Sequence, residues 1–239
     1  MNRPIYRYLA DQKWRSYDRK ITMQRIEQFH IVPDILFHAD PTYAVSLHFG
    51  RRNIQPGAFI DSRTSENPPR LRVQCFDKGE RLVTIAVVDP DVPDLEMDSY
   101  RPRCHFLAVN VPVSPTNTSL PLASLTDAEH IVMPWLPPYA QKGSPYHRIA
   151  IFVLQQDSGI LDLQDLRNAN QERDGWTLKG LMRQQKSLKV AGFNIFRTVW
   201  DEGMDDLMTR LGVEGADLQL VRKKPEKNKY KKKDGSRFR

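Results

Sequence analysis

Residues 82–88 read Leu-Val-Thr-Ile-Ala-Val-Val, with apolar side chains at odd and even positions alike. A strand covered on one face alternates apolar with polar residues, whereas one that is apolar throughout must be covered on both. This segment therefore predicts a central strand with a core on each side. Around it the alternation is regular. Tyr43, Val45, Leu47 and Phe49 alternate with Ala44, Ser46 and His48, and Leu71, Val73 and Cys75 alternate likewise, each the signature of a half-buried strand. Residues 104–111 (CHFLAVNV), 147–154 (HRIAIFVL) and 193–200 (FNIFRTVW) continue the series. Strands separated by Pro- and Gly-rich turns predict a mostly β fold with peripheral helices.

The helices come late and are short. Met204, Leu207, Met208 and Leu211 fall at i, i+3, i+4 and i+7, with Asp201 placed to cap the start and Gly212 to end it in a left-handed conformation. Residues 177–188 carry a weaker helical pattern, and Thr126 with Glu129 predicts a capping box for one or two turns before Pro134. The stretch 112–134, with Pro112, Pro115, Pro121 and Pro134, reads as an irregular insertion.

The net charge of +7 over 239 residues becomes informative when it is split along the chain. Residues 222–239 hold ten Lys/Arg and two acids, and residues 1–28 hold seven and three, so the body at 29–221 is slightly acidic with 19 and 24. A domain thus lies between two cationic arms. In the first arm, Arg7 and Asp11 are four apart and Arg15 and Asp18 three apart, which suits a helix surface. Asp11, Asp18 and Glu27 argue for a retained structural arm rather than an acid-poor transit peptide, so a cleaved presequence would precede Met1. The tail has almost no apolar content and is expected to order only on a partner. Arg222, Lys223, Lys224, Lys227, Lys229, Lys231, Lys232, Lys233, Arg237 and Arg239 suit phosphates, and Tyr230 suits stacking on an unpaired base, so RNA is the partner expected.

Several classes of function lack support. The longest apolar run, Ile149 to Leu154, is far short of the ~20 residues that cross a bilayer, so no membrane span is expected. Cys75 and Cys104 lie in strand-like stretches without zinc-ligand spacing and read as reduced core thiols. There is no phosphate-binding loop, dinucleotide fingerprint, nucleophile elbow or HExxH, and Asn117-Thr118-Ser119 reads as a chance sequon. No cofactor and no resident metal are expected.

The chemistry-bearing cluster starts at Asp89-Pro90-Asp91-Val92-Pro93, directly after the central strand. Pro90 restricts Asp89 to extended backbone, which predicts a fixed turn out of the sheet holding two carboxylates at the strand end. His105 and His147 each open a strand. A carboxylate beside each imidazole would favour the charged ring and leave its N–H groups for a small anion.

Three segments together, DPDVP (89–93), YRPRCHFLAVN (100–110) and PPYAQKGSPYHR (137–148), resemble in order and spacing the pocket motifs of the phosphatidylethanolamine-binding protein family. The resemblance runs from about Val32 through the FRTVWDEGMDDLM segment. It implies a β-sandwich-like fold with a small anion pocket built from Asp89, Asp91, Tyr100, His105 and His147 and rimmed by Pro137 and Pro138. Ile149 stands where the family carries a pocket tyrosine, and Arg103-Cys104 where Trp-His is common. The arm and the lysine-rich tail resemble those of the branch of the family built into the large subunit of the mitochondrial ribosome. That likeness implies a helical arm at 1–28, a family domain at 29–221 and an RNA-binding tail at 222–239. It also implies a matrix location, with ribosomal RNA and neighbouring large-subunit proteins as partners. Three functions stay open on sequence alone: a non-enzymatic ribosomal scaffold, a free anion- or headgroup-binding regulator, and a hydrolase using a metal held by the two Asp and two His.

Overall fold

The computed structural model describes residues 3–157, 159–213 and 216–221. Ten strands follow in order: β1 (Ala44–Phe49), β2 (Arg52–Ile54), β3 (Ala58–Phe59), β4 (Arg70–Gln74), β5 (Arg81–Asp94), β6 (Ser99–Val113), β7 (Ser119–Pro121), β8 (Ile131–Met133), β9 (His147–Gln156) and β10 (Leu188–Thr198). They form a four-stranded sheet ordered β2-β1-β4-β7 and a six-stranded sheet ordered β3-β10-β9-β5-β6-β8.

Strand β5 lies inside the larger sheet between β9 and β6, and its residues divide between two cores as the run at 82–88 requires. Val83, Ile85 and Val87 join Leu47, Leu71, Val73, Phe106 and Ile151 between the sheets. Ala86 and Val88 face the opposite way, onto Leu107, Val109, Phe152 and Phe193 under a helical layer. That layer draws on the end of the N-terminal arm (Ile26, Phe29, Ile31) and on α5 (Leu163–Ala169) and α6 (Leu178–Gln184), through Leu166, Leu178 and Leu181. Thr84, the polar residue in the run, is fully buried, and its hydroxyl oxygen accepts from Gln156 Nε2 at 2.8 Å.

The helices, numbered in chain order, begin with α1 (Pro4–Lys13), a π-helical turn (Trp14–Asp18) and α2 (Arg19–Gln28), followed by the short α3 (Ile31–Asp34) and α4 (Ser62–Ser65). Pro4 suits a helix start, where its missing N–H costs nothing. Asp11 pairs with Arg15 at i+4, at 2.8 Å. Trp14 anchors the arm by burying its ring against Phe76, with centroids 5.6 Å apart. The hinge from arm to body depends on Gly57: at φ +85°, a side chain there would put its Cβ 2.5 Å from the Phe29 ring.

Three sequence expectations are corrected. The DPD segment is not a turn out of the sheet. Strand β5 continues through it, pairing Asp89 with Arg103 and Val92 with Arg101, so the extra residue makes a bulge. Proline is tolerated at a bulge, which explains why its turn signal misled. Asp201 is not the N-cap of α7 (Met204–Leu211), which begins after Gly203. Its carboxylate accepts from the Ser62 N–H at 2.8 Å, from the Ser62 hydroxyl at 2.6 Å and from the Gly203 N–H at 2.9 Å, tying α4 to the approach of α7. Thr126 and Glu129 form a turn with no helix, closed by the Glu129 and His130 N–H groups on the Thr126 carbonyl. Gly212 does end α7 at φ +65°.

Candidate functional site

The bulge in β5 places Asp89 on the inter-sheet side of the larger sheet, beside the start of β9. Its carboxylate is fully buried. Oδ2 accepts from His147 Nδ1 at 2.7 Å and Oδ1 from the Asp91 N–H at 2.8 Å. Burial alone would raise this carboxyl, but the charge of His147 outweighs it and, with His105 beside it, holds Asp89 far below the ordinary carboxylate range. Burial likewise pulls His147 down, and the Asp89 charge overrides it, with Asp91 adding to the upward shift. His147 Nε2 lies 3.4 Å from the Ser144 hydroxyl, which itself donates to the Gln141 carbonyl at 2.8 Å and so has a lone pair for a ring N–H.

His105 arrives from β6 at a second irregularity, since Val87 pairs with Phe106 but Val88 with Cys104. Its Nδ1 donates to the Leu136 carbonyl at 2.9 Å. Nε2 is buried without a hydrogen-bond partner and faces Asp89 Oδ2 at 3.9 Å. An unpaired buried nitrogen is costly to leave dry, and the nearest charged group to it is the Asp89 carboxylate.

The structure brings Asp89, His105 and His147 together but gives Asp91 other work. Arg148 grips Asp91 through Nε to Oδ2 at 2.8 Å and Nη2 to Oδ1 at 2.7 Å, and the Arg148 backbone N–H adds a third bond at 2.9 Å. The same guanidinium reaches the Phe29 carbonyl at 2.6 Å and Asp34 at 2.9 Å. Asp91 therefore locks the arm, β5 and β9 together and presents no free carboxylate to a ligand. Tyr100 is not brought to the histidines: it stands 58% exposed on β6, paired with Pro93. Pro138 is buried and Pro137 half-buried in the loop after β8, but the residues of that loop that line the adjoining cavity are Tyr139 and Gln141.

That cavity, about 420 Å³, opens beside His147 and is lined also by Arg103, Asp174, Val213 and Leu218. Sequence reasoning passed over Tyr139 and Asp174 and noted Arg103 only as a departure from the family pattern. Arg103 forms a two-pronged ion pair with Asp174 and lies over the Tyr139 ring, 4.7 Å from its centroid. Together they give the cavity an aromatic wall and a cation. Ile149, at the position of the family tyrosine, is fully buried in the inter-sheet core. The last described segment of the chain supplies part of the wall. The Leu220 N–H donates to the Lys142 carbonyl at 2.7 Å, Gln219 bridges Lys142, and Leu218 reaches the cavity wall. The phosphate-gripping residues expected from Arg222 to Arg239 lie outside the described residues. Among the described residues, no three His, Cys, Asp or Glu side chains are arranged to hold a metal ion, and no helix is long and apolar enough to cross a membrane.

Two packed sheets with a buried Asp/His pair at a strand-end bulge define the class of protein. Residues 50–193, more than half of the chain, match the family model of phosphatidylethanolamine-binding protein, and the chain belongs to that family. Among curated relatives it is 24% identical over 211 residues to Large ribosomal subunit protein mL38 of Schizosaccharomyces pombe, covering 87% of this chain and 66% of that protein, so the chain spans just under two thirds of that relative. It is 28% identical over 203 residues to Putative odorant-binding protein A5 of Drosophila melanogaster, covering 82% and 90%. The phosphatidylethanolamine-binding protein from Plasmodium vivax shares the fold with a TM-score of 0.58 at 16% identity, over 74% of this chain and 97% of that one. A carboxypeptidase Y inhibitor, solved with its cognate proteinase, gives the same TM-score at 14% identity over 77% and 97%.

Proposed function

We propose that this protein is a structural constituent of the large subunit of the mitochondrial ribosome in the matrix, a non-enzymatic scaffold held on ribosomal RNA and neighbouring proteins by its two cationic arms. The observation that carries the reading is the similarity to mL38, which takes in 87% of the chain, well beyond the stretch matched by the family model. The site agrees with it. Asp89, Asp91 and Arg103 are each neutralised by a neighbour within the fold, as suits a pocket kept for packing.

On the arms, α1 leaves Ile5, Tyr6, Tyr8 and Leu9 more than half exposed, a surface suited to a neighbouring protein. The ten basic residues of 222–239 supply the charge for RNA. With roughly six of them on phosphates, log affinity should fall against log salt with a slope of about −4. The protein should sediment with the large subunit in a gradient of mitochondrial extract at physiological salt, and loss of 222–239 should weaken that association. Recovery of the intact protein in light fractions alone would refute the assignment.

A second reading, binding of a small phosphate-type anion, is favoured by the orphaned His105 Nε2. It requires inorganic phosphate or phosphoethanolamine to raise the melting temperature and His147→Ala to remove the rise.

A further inference from the structure

A second concavity, separate from the Asp/His pocket, lies on the other side of the arm's end. Its volume is about 540 Å³, within the roughly 300–1,000 Å³ of small-molecule sites. The floor is apolar: Leu36, Met182, Leu188 and Val190 come from the segment after α3, from α6 and from the start of β10. Phe37 forms a wall and is 68% exposed. The segment carrying Leu36 and Phe37 is pinned at both ends. At one end the Thr42 and Tyr43 N–H groups share the Ala191 carbonyl, each at 2.7 Å. At the other, Lys179 Nζ donates to the carbonyls of Pro33 at 2.6 Å and Asp34 at 3.1 Å. The concavity is thus held open by bonds that do not pass through its interior.

The charges at its mouth are uneven. Asp40 is taken by Arg19, and Lys189 is neutralised by Asp157 at 2.6 Å. Lys179 and Arg183 also line the mouth, beside His38, and neither has a carboxylate partner among the described residues. Both lie near the Phe37 ring, at 4.4 and 5.9 Å from its centroid, so the two positive groups converge on the wall of the hollow. An apolar hollow with two uncompensated cations on one rim fits a molecule with a hydrocarbon body and one negative end.

We infer that this concavity binds a small amphiphilic carboxylate, the chain lying on Leu36, Met182, Leu188 and Val190 and the carboxylate meeting Arg183 and Lys179. The site stands independently of the ribosomal assignment. The test uses the full chain with octanoate, 1-octanol and octyltrimethylammonium as probes below their micellar concentrations, read by calorimetry and by the methyl resonance of Met182. Octanoate should bind, move that resonance, and outbind the ammonium by at least roughly tenfold, a difference of about 1.4 kcal/mol. Arg183→Glu, at an exposed position, should reverse that preference, whereas His147→Gln should leave it intact. Equal binding of all three probes, no binding of octanoate, or binding that leaves the Met182 methyl unmoved would each overturn the inference. Met182→Trp, which narrows the hollow, should weaken octanoate binding while the fold is kept, and undiminished binding in that variant would also overturn it.

Discussion

Arg148 and Asp91 meet through two parallel hydrogen bonds of 2.7 and 2.8 Å, and from that pair the guanidinium extends to the carbonyl of Phe29. Three parts of the chain are joined there: the end of the arm, the bulge of β5 and the start of β9. Both side chains are less than a fifth exposed, so neither charge is well served by water once its partner is gone.

Arg148→Met is accordingly expected to cost roughly 2–4 kcal/mol, because Asp91 is left partly buried and unpaired. Asp91→Asn in the Arg148→Met background should restore part of the loss. Denaturant unfolding of both single variants and the double variant closes the cycle, and additive effects would show that the pair contributes nothing of its own.

The Asp89–His147 pair predicts a pH profile. His147 is raised above its ordinary 6.5, so its contribution is complete below about 6.5 and is lost as pH rises through the folded value. Asp89 is lowered from 3.8, so its contribution is complete above about 4 and is lost only in strong acid. Stability should therefore decline from pH 6 to pH 9, and His147→Gln should flatten that decline. Urea midpoints at both pH values measure it, and an equal decline in the variant would contradict the coupling.

Cys104 is fully buried, and burial pushes its thiol up to about 12. Cys75 is buried too and shifted in the same direction. Neither should react with a thiol reagent at pH 8 in the native protein, and both should react once it is unfolded. Rapid stoichiometric labelling of the folded protein would contradict this burial.

Gly143 adopts φ +84°, and an added Cβ would sit 2.0 Å from the Leu220 carbonyl oxygen. Gly143→Ala should release residues 216–221 from Lys142 at a cost of about 1 kcal/mol or somewhat more, since only a surface contact and one backbone conformation are affected. Faster proteolytic clipping near residue 218, with the midpoint of global unfolding little changed, is the expected result.

The layered architecture was legible in the sequence because it depends on local pattern. Seven residues, Leu82 to Val88, announced two cores, and the alternating stretches at 43–49 and 71–75 announced one. The pairing of Asp89 with His147 spans 58 positions and was reached through family resemblance, not through spacing. Arg148 and Arg103 were illegible in any local sense. A lone arginine in a strand reads as an ordinary solvated charge, and only the register of β5 against β9, or the path of the loop carrying Asp174, shows which carboxylate it meets. Pro90 misled for a related reason: locally it ends strands, but a bulge leaves its missing N–H without a partner to lose.

Leu220 is stitched to Lys142, four residues before the end of the loop that delivers His147 to Asp89. The lysine-rich extension therefore sets out from the rim of the cradle. Tension on that extension would be borne first by a single backbone hydrogen bond, beside the loop that seats His147 against Asp89.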